Sequence, residues 1–76
     1  MFALVARTTK SRAASAVLLS AMAGEAGRTG APPRAEVLAT EGGYRASLWP
    51  FNDRERALRT QQRLREAGLE TVLVLF

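Results

Sequence analysis

Hydrophobic and polar positions alternate in blocks along the chain, and the length and spacing of each block predict the type of element. Residues 2–6 form a short apolar run that a polar, basic segment ends, which is typical of a buried strand. Residues 11–26 are helix formers. Within this segment, small or apolar side chains recur at three- and four-residue steps: Ala14, Val17 or Leu18, Ala21 and Met22. We expect a first strand, then a helix that packs this stripe on the core.

The middle of the chain predicts a connector and a hairpin. Residues 24–33 hold Gly and Pro in quick succession, which end the helix and predict a flexible, irregular connector. Residues 34–40 and 44–49 are strand-like runs on either side of a Gly-Gly turn, so they predict a β-hairpin. We expect Pro50 to end the second of these strands.

The last third of the chain predicts a second helix and a fourth strand. Asn52 and Glu55 match a capping box, and Gly68 stands at the C-terminal cap. Residues 71–76 are an uninterrupted run of β-branched and apolar side chains, typical of a strand covered on at least one face. The order β-α-β-β-α-β over residues 1–76 predicts one α+β domain of ferredoxin-like architecture. This is a four-stranded antiparallel sheet with two helices on one face.

Composition narrows the class of function. The chain has no Cys and no His, which removes thiolate nucleophiles, thiolate metal sites and the side chain most used for acid–base work at neutral pH. Its net charge of +4 favours an anionic partner without naming one. We therefore predict a binding module rather than an enzyme, with no cofactor and no metal.

The C-terminal half resembles a known family. Residues 44–51 read YRASLWPF, and Ala57, Leu64 and Gly68 follow the Phe by six, thirteen and seventeen residues. This register resembles the second half of the SPOR (sporulation-related repeat) domain over residues 44–74. The resemblance implies a β-α-β-β-α-β fold and a non-enzymatic module that binds peptidoglycan glycan strands on the open face of its sheet.

The chain departs from the family pattern at several positions. Trp49 stands where the family usually has Gly, and Thr60 stands where it often has Leu. The first strand lacks the Gln and Phe that are usual in the family, so the resemblance does not carry over the glycan contacts that the family makes from that strand.

Strand alternation selects the side chains that could contact a ligand. If Ala46 and Leu48 face the helices, the odd-numbered neighbours line the open face, together with outward residues of the first strand. The predicted ligand-binding side chains are Arg45, Ser47, Trp49, Val5 and Arg7. Aromatic rings stack on planar groups and Arg offers a fork of donors. The alternative is that Trp49 packs on the edge of the core.

A second basic feature lies on the predicted second helix. Arg56, Arg59 and Arg63 recur at three- and four-residue steps and could form a secondary basic stripe that binds an anion. The favoured alternative is a solvated helix face whose charge is partly balanced by neighbouring acids.

Three functions remain open on these grounds. They are binding of glycan strands, binding of nucleic acid, and a protein-assembly role such as a homodimer through the apolar residues 72–76. The sequence lacks the aromatic pattern of RNA-recognition strands, which disfavours the second.

Location depends on residues 1–23, where a basic segment precedes an Ala-rich apolar run and a small-residue site. If they are structural, we expect a cytoplasmic protein. If they are a cleaved signal peptide, we expect a periplasmic or envelope protein. We expect no membrane span, because the run is about half the ~20 apolar residues that a span requires.

Overall fold

The computed structural model describes residues 1–29 and 34–76. The elements are β1 (Phe2–Ala6), α1 (Arg12–Ala26), a 3-10 turn (Gly27–Thr29), β2 (Arg34–Thr40), β3 (Gly43–Phe51), α2 (Arg54–Glu66) and β4 (Thr71–Leu75). The four strands form one antiparallel sheet in the order β2-β3-β1-β4. The ferredoxin-like α+β architecture predicted from the sequence is therefore confirmed.

The core lies between the two helices and one face of the sheet. The strands contribute buried side chains at alternate positions: Leu4, Ala6, Ala46 and Leu48. The helices contribute Met22, Ala26, Ala57 and Leu64. Because successive side chains of a strand point to opposite faces, the residues between these strand positions lie on the other face of the sheet. We call that other face the open face.

Helix α1 buries part of the predicted stripe. Met22 is buried and Leu18 packs half-buried against the core, as expected, but Val17 is 72% exposed, and Ala14 and Ala21 are exposed as well. The buried position in the first part of the helix is instead Ser15.

Polar contacts account for the burial of Ser15 on α1. The Ser15 hydroxyl donates to the carbonyl oxygen of Tyr44 at 2.9 Å and shares a hydrogen bond of 2.7 Å with the Thr9 hydroxyl. A buried hydroxyl is tolerated when it has such partners. Hydrophobic periodicity does not detect a serine on the core face, so it missed Ser15 and included the exposed Ala14.

Two predicted boundaries also differ from the structure. Residues 24–26 complete α1 and residues 27–29 form the 3-10 turn, while residues 30–33 of the predicted connector lie outside the described residues. Strand β3 does not end at Pro50. It continues to Phe51, which is paired with Phe2, and the register of β1 and β3 shifts by one residue beside the proline. Such an irregularity accommodates a residue that lacks a backbone N–H.

The N-cap of α2 is Asp53 rather than Asn52. An Asp53 carboxylate oxygen accepts a hydrogen bond from the backbone N–H of Glu55 at 2.9 Å. Because Phe51 is still part of the strand and is buried in the core, the helix begins one residue later than the capping-box pattern predicted. The predicted end of α2 is confirmed. Gly68 has a φ of +83° and follows the helix in a Schellman motif.

The N-terminal segment is an integral part of this fold. Leu4 is paired with Leu48 and Val5 with Ser47, so β1 lies between β3 and β4. A fold without residues 1–23 would lose this central strand and most of α1. Within the part of the chain that the structure describes, no helix is both long enough and apolar enough to cross a membrane.

The start of β3 requires a glycine. Thr9 and Tyr44 exchange two backbone hydrogen bonds, of 2.7 and 2.8 Å, which bring the chain before α1 against the start of β3. A Cβ at Gly43 would collide with the carbonyl group of Thr9.

We predict opposite effects for two Gly-to-Ala substitutions. Gly43→Ala should lower the free energy of unfolding by about 2–3 kcal/mol, because the backbone bridge to Thr9 must open to admit the methyl group. Gly24→Ala is the matched control: it lies in α1 with open space around its Cβ position, so it should raise stability by about 0.5–1 kcal/mol. Urea unfolding with an unchanged m-value measures both. Equal effects of the two substitutions would contradict the close approach at Gly43.

Candidate binding groove on the open sheet face

A groove of about 330 Å³ lies on the open face of the sheet. Its floor is formed by side chains of the two central strands: Ala3, Val5 and Ser47. The other lining residues come from the outer strands and the strand ends: Glu36, Leu38, Trp49, Val74 and Phe76. Only small side chains occupy the floor, so larger ones around it create a depression rather than a flat surface.

Strand register explains how the floor is assembled. Val5 is paired with Ser47 across β1 and β3, and Ala3 is paired with Val74 across β1 and β4. Paired residues in an antiparallel sheet place their side chains on the same face. The outward positions of three strands therefore converge on one surface, opposite the buried Leu4 and Leu48.

Polar contacts from β2 hold Trp49 at one end of the groove. Its indole Nε1–H donates to Oε2 of Glu36 at 3.2 Å. The guanidinium of Arg34 lies 4.9 Å from the centroid of the indole ring and pairs with Oε1 of Glu36 at 3.5 Å. These contacts place Trp49 on the open face, beside its β2 neighbours, and not in the core between the sheet and the helices.

A second aromatic ring borders the same end. The rings of Phe76 and Trp49 meet edge to face, with centroids 5.9 Å apart and planes at 81°. Phe76 is 59% exposed and Trp49 is half-buried, so both rings keep some surface accessible to solvent. Edge-to-face contact is a favoured arrangement for two rings.

The structure brings together some of the predicted site residues and separates others. Val5, Ser47 and Trp49 share the groove. Arg45 is half-buried, and its Nε–H donates to the carbonyl oxygen of Ala6 at 2.7 Å, which uses part of its donor fork within the fold. Arg7 follows the end of β1 and lines a separate cavity of about 80 Å³ between α1 and the turn after α2, away from the groove.

Besides Ala3, an outward residue of the first strand that was not among the predicted site residues, four groove residues were not predicted: Glu36, Leu38, Val74 and Phe76. The signal for two of them was present in the hairpin, because a two-residue turn fixes the register of its strands. That register pairs Glu36 with Ser47 and Leu38 with Arg45. Val74 and Phe76 depend on the pairing of the last strand with the first, which is a contact between the two ends of the chain and has no local signature.

The basic stripe lies elsewhere. Arg56, Arg59 and Arg63 line a shallow cavity of about 660 Å³ along α2, together with the acidic residues Asp53 and Glu66. Arg63 also forms an ion pair with Glu25 of α1, with 3.5 Å between Nε and Oε2. Since α2 packs on the core face of the sheet, the stripe and the groove belong to different sides of the molecule.

The chemistry that the groove offers is stacking and hydrogen bonding. Its single carboxylate, Glu36, is held by an indole N–H and a guanidinium. Throughout residues 1–29 and 34–76, no group of three or more acidic side chains is arranged to hold a metal ion.

Comparison with known proteins identifies the fold. No protein-family model matches the chain, and no curated protein matches it. The crystal structure of the RlpA SPOR domain from Pseudomonas aeruginosa does match, with 22% sequence identity, full coverage of both chains and a TM-score of 0.74. The chain has the SPOR-domain fold. The resemblance noted in residues 44–74 is therefore confirmed at the level of structure, and it extends to the N-terminal half, where β1 and α1 complete the SPOR fold.

We predict that Glu36 sets the position of the indole ring. Glu36→Ala should move the indole Nε1–H resonance of Trp49 in NMR spectra and increase quenching of its fluorescence by acrylamide, because the acceptor and the bridge to Arg34 are both lost. Stability should change by less than about 1 kcal/mol, since partly exposed ion pairs contribute little. Glu41→Ala, in the exposed hairpin turn, is the control and should leave the indole signals unchanged. An unaltered indole resonance in Glu36→Ala would refute this role.

Proposed function

We propose that this SPOR-fold chain is a non-catalytic module that binds peptidoglycan glycan strands in the open-face groove. The observation that carries the proposal is the accessible pair of Trp49 and Phe76 rings at the end of a groove with a floor of small side chains. The resemblance to the SPOR family, whose domains bind glycan strands on the open face of the sheet, supports the same ligand for this groove.

The groove combines the two kinds of contact that a sugar requires. A pyranose ring has apolar C–H faces and an edge of hydroxyl and amide groups, so a site needs aromatic surface and nearby hydrogen-bonding groups. Trp49 and Phe76 supply the first. Glu36 and Arg34, which contact the indole, supply acceptors and donors beside it. Arg34 is well exposed and could pair with the lactyl carboxylate of a muramic acid residue.

The charge distribution favours a glycan over a nucleic acid at this site. A nucleic acid needs cations along its phosphate backbone, and its affinity rests largely on them. The described lining of the groove contains the carboxylate of Glu36 and no cationic side chain, and Arg34 beside it supplies one cation rather than a row of them. The three arginines of the basic stripe lie on the opposite side of the molecule, where they cannot assist stacking on Trp49.

We expect aromatic truncation to abolish most of the glycan binding. Trp49→Ala should weaken binding to purified murein sacculi by about 30-fold, which corresponds to about 2 kcal/mol for loss of a central aromatic contact. Phe76→Ala should weaken binding by a smaller factor and is a safer test of the groove, because this side chain is largely exposed and its loss spares the fold. Co-sedimentation with sacculi measures the binding affinity. Changes in amide chemical shifts in NMR spectra identify the residues that contact the glycan.

Matched controls separate this proposal from the alternatives. Val17→Ala truncates an exposed apolar residue on the helix side and should bind sacculi like the unaltered chain. A single-stranded oligonucleotide at low salt should leave the groove resonances in place. Equal binding of sacculi by Trp49→Ala and Val17→Ala would rule out the groove, and an oligonucleotide affinity that exceeds the glycan affinity would favour the nucleic-acid alternative.

A further inference from the structure

We propose that β4 is a self-pairing edge. A second copy of the chain adds to β4 in antiparallel orientation about a two-fold axis at Val74, so that two four-stranded sheets become one continuous sheet. The inference rests on backbone geometry and on the side chains of residues 71–76, and it does not depend on the ligand of the groove.

The hydrogen-bonding phase of β4 identifies the groups at its free edge. Met1 and Phe76 exchange hydrogen bonds in both directions, of 2.9 and 3.2 Å, so they form a hydrogen-bonded pair. Such pairs alternate along an antiparallel ladder. Residues 72 and 74 therefore bond to β1, and Leu73 and Leu75 direct their N–H and C=O groups away from the sheet, toward the edge.

One contact at this edge selects the register. Thr71 has the same phase as Leu73, and its outward carbonyl oxygen already accepts a hydrogen bond of 2.9 Å from Nε2 of Gln61. A register centred on Leu73 would need that oxygen for the partner strand. A register centred on Val74 uses only the outward groups of Leu73 and Leu75, and it leaves the Gln61 contact intact.

The side chains in this register are complementary to themselves. On the open face Val74 is opposite the partner's Val74, and Val72 is opposite the partner's Phe76. On the helix side Leu73 is opposite the partner's Leu75. Leu75 is 71% exposed in the single chain and Val72 is more than half exposed, so the pairing would cover apolar surface on both faces.

The two edge strands of the sheet, β2 and β4, differ in how well they are protected against pairing with another chain. Edge strands avoid pairing by carrying charged side chains. Strand β2 carries Arg34 and Glu36, whereas residues 71–76 contain no charged side chain, no Pro and no Gly. In a dimer paired through β4, the β4 edges of both copies are covered, and the charged β2 edge of each copy remains at the outside of the sheet. A closed two-fold dimer results, rather than an open fibre.

The dimer would also lengthen the groove. Val74 and Phe76 form one wall of the groove in the single chain. With the partner's Val72 packed beside Phe76, the open faces of the two copies meet across the axis, and the two grooves become parts of one surface.

Association should depend on Leu75. Sedimentation over the range from roughly 10 µM to 1 mM, in which small interfaces dissociate, should show a mass that rises from one copy to two. Leu75→Lys should weaken this association at least tenfold, because each ammonium would lie beside the partner's Leu73. Val17→Lys is the matched control: it places the same charge at a position of nearly equal exposure on α1, and it should associate like the unaltered chain.

A cross-link tests the register independently. The chain has no Cys, so Val74→Cys has only its partner copy to react with. Opposed residues of a non-hydrogen-bonded antiparallel pair have Cα atoms about 4.5 Å apart, a separation that a disulfide spans. Under mild oxidation this variant should form disulfide-linked dimers much faster than Val17→Cys.

Three outcomes would overturn the proposal: a strict monomer at all these concentrations, a dimer that Leu75→Lys leaves as tight as before, or equal cross-linking of the two cysteine variants. If circular dichroism shows that Leu75→Lys is unfolded, the comparison of the cysteine variants decides alone.

Discussion

The five-residue strand β1 is the constraint on which the rest of the structure depends. It is hydrogen-bonded on both sides, to β3 and to β4, and four of its five side chains are buried. Leu4 and Ala6 fill the core beneath the helices, while Ala3 and Val5 form part of the groove floor. Because β4 contacts the sheet only through β1, the position of Phe76 beside Trp49 also follows from this strand. Core, sheet order and groove thus share one short segment at the start of the chain.

Much of the architecture could be predicted from the sequence because the signals were local. The Gly-Gly turn, the apolar run before α1 and the glycine after α2 each act within a few residues, and the structure confirms the elements they indicate. The misses came from longer-range contacts. Ser15 is on the core face because its hydroxyl has partners in Thr9 and Tyr44, one of them far along the chain. Phe51 extends β3 because it is paired with Phe2, at the opposite end of the sequence.

The candidate site also includes some features that a local pattern predicted and others that depend on contacts between distant parts of the chain. Alternation along one strand was sufficient to place Ser47 and Trp49 on the open face, since period two is a property of any strand. It could not show that Arg45 is engaged by the carbonyl oxygen of Ala6, or that Arg7 lies past the end of β1. Those outcomes depend on where a strand stops and on which backbone groups its neighbours leave free. Basic charge did not indicate the groove either, because the arginines of α2 lie on the side of the sheet away from the aromatic pair.

The small side chains of the groove floor separate the shape of the open face from the packing of the core. Ala3 and Ser47 lie on the same two strands as Leu4 and Leu48, but they point the other way. A change in their size alters the depth and shape of the groove and leaves the packing of the core on the opposite face untouched. The shape of the groove and the packing of the core are therefore set by alternate residues of the same segments. Such a sheet can change the shape of its open face one residue at a time while the scaffold stays intact.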